Sequence, residues 1–435
     1  MPVRDGYSAA VHPMDILRSR LASQFSDSRE SIGELLRVNG EFVIDSVRIA
    51  QVFGGMRGIH GLVCDTSSVD PTDGLIIRGR GIHALKSCSP EEVFWLLLTG
   101  ELPEYDELLA FRQDLLLRRR LPDWMDGFLA AMPAGSHPMS MFNAAVLAMQ
   151  GQSHFAGAYH STPKSELWQP ALEDALDLFA TMPLLAVRVY RQRYGLVDKP
   201  GSADADYISQ LASGLLGRED SDFESLLRRY VVVQSDHENG NVCALSAHVT
   251  GSTHADLYFA VSAGLNGLAG HIHGLAAQDF IRFLHSLQDE LGSEPAEESI
   301  RQAMQQRLDS GRVLPGFGHA VLRQADPRFE ILYAIAAERY GDHPLFTLAS
   351  RVYSIGTELL KAHGRVKNPY PNVDAVTGVV LQLAGVEQLE FYTVLFGVSL
   401  SIGILAQNVV SRGIGSPIVR PRSVATAELR GLAGG

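Results

Sequence analysis

The chain has 435 residues, of which 46% are apolar and 20% charged, and carries a formal net charge of −12. Such a length can bury a large core in what reads as two domains, and the acidic balance argues against broad nucleic-acid or anionic-membrane binding. Cys64, Cys88 and Cys243 are too scattered for a disulfide framework or a zinc ribbon. They suit a reducing compartment. Asp5, Asp15, Asp27 and Glu30 near the start fit neither a secretory signal nor an acid-poor transit peptide, so a cytoplasmic protein is expected.

Along the chain, Glu41–Ile49 and Gly74–Arg78 are short strand-like runs. Gly79-Arg80-Gly81-Ile82-His83-Ala84 fits a loose dinucleotide-binding pattern, but no βαβ unit follows it and that reading fails. Ser89-Pro90-Glu91-Glu92 is a capping box with proline in the first turn, predicting a helix through Leu98 that Gly100 stops. Ser221-x-x-Glu224 repeats the device, with Tyr230–Gln234 as a third strand-like run. Two stretches free of Asp, Glu, Lys and Arg, Leu257–Gln278 and Phe391–Val410, are long enough to cross a bilayer. The first holds Asn266, His271, His273 and Gln278, the second Gln407 and Asn408. No basic cluster flanks either, so both read as buried helices of a core. Further helices are predicted over Pro295–Leu308, ended by Gly311, over Asp326–Tyr340, with Asp326 as cap, and over His343–His363, ended by Gly364. Strands do not alternate regularly with helices, which predicts a mainly α fold rather than a doubly wound sheet.

Four segments set reactive side chains among glycine, asparagine and proline: Ser235–Asn241, Asn266–Gly274, Gly316–Arg328 and Lys367–Asp374. In the third, His319 sits between small residues and can exchange protons near neutral pH. Arg328 follows in the first turn of a capped helix, where free N–H groups favour an anion. In the fourth, two prolines stiffen the approach to the Asp374 carboxylate. One carboxylate with two histidines can remove a proton beside a carbonyl, stabilise the enol oxygen and protonate a second carbonyl as a carbon–carbon bond forms. Metal binding is the rival reading, through His271-x-His273 or Asp236-His237-Glu238, but the chain has no His-Glu-x-x-His spacing and no metal is expected. It also has no G-x-S-x-G nucleophile elbow.

Taken together these segments resemble the citrate synthase family, in its mitochondrial-like branch, from about Phe53-Gly54-Gly55-Met56-Arg57-Gly58 to Arg420-Pro421-Arg422-Ser423. The resemblance implies an almost wholly helical homodimer with a shared active site. A large helical domain would comprise residues 1–273 and 380–435, and a smaller one, residues 274–379, would close over the site. By position, Asp374 matches the base that deprotonates acetyl-CoA, His273 the donor to the thioester oxygen, and His319 the residue that protonates the keto oxygen of oxaloacetate. His237, Arg328 and Arg420 match contacts to the oxo acid, Arg420 from the other subunit, while Arg57, Arg323 and, more loosely, Lys164 match contacts to coenzyme A. No cofactor is implied beyond the acyl-CoA substrate.

The pattern breaks at Leu400, where the family places an arginine that grips oxaloacetate. His271 stands for a proline, Cys243 for a serine that supports the catalytic histidine, and Val376 for a histidine, so Leu400 and His271 mark a remodelled acceptor pocket. The expected activity is condensation of acetyl-CoA, or a close acyl-CoA, with a 2-oxo acid such as oxaloacetate, followed by thioester hydrolysis. Alternatives are a paralogue using another acceptor (phosphonopyruvate giving phosphonomethylmalate, or an alkyl 2-oxo acid, or 2-methylcitrate-type chemistry) and a catalytically weak regulatory protein that binds CoA or a tricarboxylate.

Overall fold

The computed structural model describes residues 13–196, 205–238, 240–270, 273–364 and 366–434, and helices carry most of them. At the centre lies the helix Tyr392–Ile414, whose residues are buried on nearly every face. It is long and apolar enough to cross a bilayer. Here it is sheathed by the helices Pro13–Asn39, Pro90–Thr99, Trp168–Tyr194, Ser221–Val233, Val242–Gly251 and Leu257–Gly267. A helix that is apolar all round must be enclosed in this way. Its small residues set how near the neighbours come: a Cβ on Gly397 would lie 2.9 Å from the Leu265 side chain, and one on Gly413 would meet the Phe25 ring.

The charge-free run Leu257–Gln278 is two elements rather than one: a helix ending at Gly267, a turn, and a second helix over Ala276–Leu291. That second helix packs with Glu297–Asp309, Pro344–His363 and Val373–Leu383, the last two of which also hold Pro327–Tyr340, and Phe280, Phe329, Tyr333, Phe346 and Tyr353 meet among these helices in stacked, tilted and edge-to-face pairs. The helices predicted from Asp326 and His343 form as expected. Asp326 caps the first, His343 Nδ1 accepts the Leu345 N–H at 3.2 Å in the second, and Gly364 ends it in a left-handed conformation. The Ser89 box closes in both directions, Glu92 N to Ser89 Oγ at 3.3 Å and Ser89 N to Glu92 Oε2 at 2.7 Å.

Three sequence expectations need correction. The Ser221 helix is capped one residue earlier, by Asp220, whose Oδ1 accepts from Phe223 N at 3.0 Å; an aspartate accepts that bond as well as a serine does. Tyr230–Gln234 is not a strand but the last turn of that helix and its cap, because burial of Val231, Val232 and Val233 in the core outweighs their β preference. Glu41–Ile49 has no described strand beside it and runs as an exposed loop into the short helix Ile49–Phe53. Only Gly74–Ile77 pairs, in a three-stranded antiparallel sheet with Ser67–Asp70 and Arg80–Gly81. The glycines after it therefore lie in a hairpin, not at a dinucleotide-binding crossover. Gly74, at φ +76°, seats the first turn of this sheet on Pro327: a Cβ there would lie 2.5 Å from the proline ring.

Candidate active site

Two neighbouring loops build the floor of the site. Gly316 and Gly318, at φ +77° and +85°, bend the chain as glycine allows, and His319 follows. This loop is zipped to the segment ahead of Asp374: Gly318 N donates to Tyr370 O at 3.0 Å and Asn372 N to Gly316 O at 2.9 Å. Asn372 Nδ2 donates to Gly318 O at 2.9 Å, and Asn368 Nδ2 to the carbonyls of Leu322 at 3.0 Å and Gln324 at 3.1 Å. His319 and Asp374 thus share one rigid support although 55 positions separate them.

His319 accepts two backbone N–H groups on Nδ1, from Val321 and Leu322, both at 3.1 Å. Its own hydrogen must then be on Nε2. Burial, aided by the nearby Arg328 charge, pushes the imidazole down to about 4, so it is neutral at physiological pH. The His237 ring lies alongside it, centroids 6.4 Å apart and planes 29° from parallel. Burial, with Arg328 and His319 adding to it, pushes His237 down to about 3.

His273 faces the edge of Phe396 at 6.2 Å and pairs through Nε2 with the Cys243 sulfur at 3.1 Å. Cys243 is 0% exposed, and burial pushes its thiol up to about 12. A protonated thiol can give its S–H to Nε2, an arrangement that leaves the ring's own N–H on Nδ1. Burial lowers the His273 pKa as well, so this ring too is neutral.

Asp374 lies in the first turn of Val373–Leu383, capped by Asn372 Oδ1, which accepts from Asp374 N at 3.1 Å. Burial pushes its carboxyl up to about 6 against the downward pull of Arg328. Arg328 is buried and held in a fork by Asp326, Nε to Oδ1 at 3.0 Å and Nη2 to Oδ2 at 2.8 Å. Burial disfavours both charges of this pair, yet their mutual attraction prevails: Asp326 titrates below its ordinary value and Arg328 above. Asp326 also accepts Val373 N at 3.3 Å, tying the arginine's partner to the base's helix. Sequence reasoning reads Asp326 only as a cap; its position two residues before Arg328, at a helix start, is the signal for the fork.

The predicted cations Arg57, Arg323, Lys164 and Arg420 make no described hydrogen bond to this cluster. Arg323 is exposed beside it, with N donating to Pro71 O at 2.8 Å and Nη1 turned back on Val321 O at 2.7 Å. Arg57, Lys164 and Arg420 are exposed and, among the described residues, make no hydrogen bond or ion pair with the cluster. Leu400 is 2% exposed in the central helix and brings no polar atom. Val376 is fully buried in the core. His271 lies outside the described residues. What converges is a carboxyl poised to accept a proton, two neutral imidazoles, the His319 N–H on Nε2, a third beside them, and a buried guanidinium.

A family model described as "Citrate synthase, C-terminal domain" matches residues 55–422. The mitochondrial citrate synthase of Saccharomyces cerevisiae is 40% identical over 98% of this chain and 91% of its own length. That of Kajikia audax is 39% identical over 96% and 92%. Among solved structures, the ternary complex of carboxymethyl coenzyme A and oxaloacetate with citrate synthase from Thermoplasma acidophilum aligns with a TM-score of 0.75, covering 88% of this chain and 97% of that one. At 23% identity this is a likeness of fold. The cytoplasmic expectation is overturned by these names, since several relatives are mitochondrial enzymes. Acidic residues near the chain start bear only on that stretch, and a folded body carries no mark of its compartment.

Proposed function

The chain belongs to the citrate synthase family, and from that premise we propose that the cleft around Asp374 condenses acetyl-CoA with oxaloacetate and then hydrolyses the thioester. Asp374 takes a methyl proton from acetyl-CoA while His273 Nδ1–H steadies the enol oxygen. The enol carbon attacks the keto carbon of oxaloacetate, and His319 Nε2–H protonates the oxygen that was the ketone. Water then adds to the thioester carbonyl and coenzyme A leaves as the thiol. His237 and Arg328 hold the acceptor, with Arg420 supplied by a second copy of the chain in a homodimer. Arg57, Arg323 and Lys164 meet the coenzyme A phosphates. Closure of residues 274–379 onto the rest keeps water out until the carbon–carbon bond has formed.

What supports this most is the pairing of a carboxyl pushed up to about 6 with two imidazoles that burial keeps neutral. A thioester methyl is a very weak carbon acid, and a base near neutral pH with preplaced donors is what its removal requires. Leu400 removes one cation from the acceptor's reach, which places the carboxylate load on Arg328 and Arg420 and predicts modest oxaloacetate affinity. Another acceptor is not favoured, and a regulatory protein would have no use for the base.

Thiol release from acetyl-CoA tests the proposal. It should depend on oxaloacetate, and Asp374→Asn should lower kcat by roughly 10²–10⁴-fold. Release of thiol without any acceptor, or an Asp374→Asn enzyme as fast as the parent, would overturn it.

A further inference from the structure

We infer that Gln407 and Asp236 form a positioning pair that fixes His237 from the central helix and so governs binding of the 2-oxo acid; this rests on the role proposed for His237. Gln407 Nε2 donates to Asp236 Oδ1 at 2.6 Å and to His237 O at 2.9 Å. Asp236 Oδ1 also accepts the His237 N–H at 2.9 Å. Both backbone polar groups of His237 are therefore held by one amide and one carboxyl. One turn earlier on the same helix face, Gly403 N donates to Ser235 O at 2.8 Å. Glycine is required there, because a Cβ on Gly403 would run into the Asp236 carboxyl.

Two features set this clamp apart from ordinary packing. Asp236 is 1% exposed, and the Ser67 and Thr66 hydroxyls join Gln407 and His237 N in holding its carboxyl, a costly group to bury for packing alone. His237 Nδ1 is buried and its contacts are only with the adjacent Glu238, whose carboxylate stands 3.9 Å away, so the ring's place follows largely from the backbone of this segment. Burial pushes the Asp236 carboxyl up to about 6 while its hydrogen bonds pull it down, leaving an anion near neutrality that strengthens both donor contacts. The ring so held stacks on His319 within the proposed acceptor site.

The test compares KM for oxaloacetate with KM for acetyl-CoA. Gln407→Leu, which removes both donor contacts, and Gly403→Ala, which displaces the carboxyl, should each raise KM for oxaloacetate roughly tenfold or more. KM for acetyl-CoA should remain that of the parent. Gln407→Glu has the same shape but donates only when protonated and repels Asp236 when ionised. Its oxaloacetate KM should therefore climb with pH more steeply than the parent's. An unchanged oxaloacetate KM in Gln407→Leu, or equal rises for both substrates, would overturn the clamp. Should that variant not accumulate folded, Gln407→Glu decides alone: a pH dependence like the parent's overturns it. If the parent itself shows no oxaloacetate turnover, the proposed role of His237 has failed, not the clamp.

Discussion

At Asp374, burial and the Arg328 charge oppose each other and burial wins, leaving the carboxyl near 6. The base must be ionised to act, so kcat/KM should fall as pH drops through about 6 and stay level above it. His319, near 4, and His237, near 3, remain neutral across that range and add no second limb. A pH–rate profile checks this; an inflection at an ordinary carboxylate value, about 4, would mean a solvated cleft. The Cys243–His273 pair makes a second prediction at this scale. Cys243→Ser keeps a donor for Nε2 and should preserve most of kcat. Cys243→Ala frees the tautomer and should cut kcat by about 10–100-fold with little change in KM.

At the scale of elements, the loop from Gly316 to Asp326 carries the most consequence. Gly316 combines a positive φ with crowding: a Cβ would lie 2.7 Å from the Phe280 ring and 2.8 Å from the Ala375 Cβ. Ala375 follows the base directly, so strain at Gly316 reaches both His319 and Asp374. Gly316→Ala should cost about 2 kcal/mol of stability and lower kcat, read by thermal unfolding alongside the thiol assay. The capped helices from Ser89, Asp326 and His343 are the elements most plainly written in local sequence, since cap, proline and glycine signals act within one turn. The failures at Tyr230–Gln234 and Glu41–Ile49 have the opposite origin: a β-branched run becomes a strand only where a partner edge awaits it.

For the whole molecule, we propose that a second copy of the chain completes the site. Arg420 is exposed and apart from the cluster, as is expected if it serves the site of a second copy. Apolar side chains remain exposed along Phe42, Val43, Ile44 and Phe53, as an interface would require. Coexpressing Asp374→Asn and Arg420→Ala chains, each inactive alone, tests this. If Arg420 acts across the interface, random pairing should restore about a quarter of the parent activity, because half the dimers are mixed and each mixed dimer has one intact site. If it acts within its own chain, nothing returns.

The sequence by itself determined the helical class, the capped helices, the buried character of Phe391–Val410, and the family and its reaction, because period, caps and motif order are local or linear properties. Only the tertiary structure decided how His237, His273, His319, Arg328 and Asp374 meet, which nitrogen of His319 carries the hydrogen, that Cys243 faces His273 Nε2, and why Asp374 titrates near 6. It also exposed the Asp326 fork on Arg328 and the Gln407 clamp on His237. The fork follows from a local spacing whose meaning only burial reveals; the others depend on burial and on bonds between segments far apart in the chain, which no local pattern encodes.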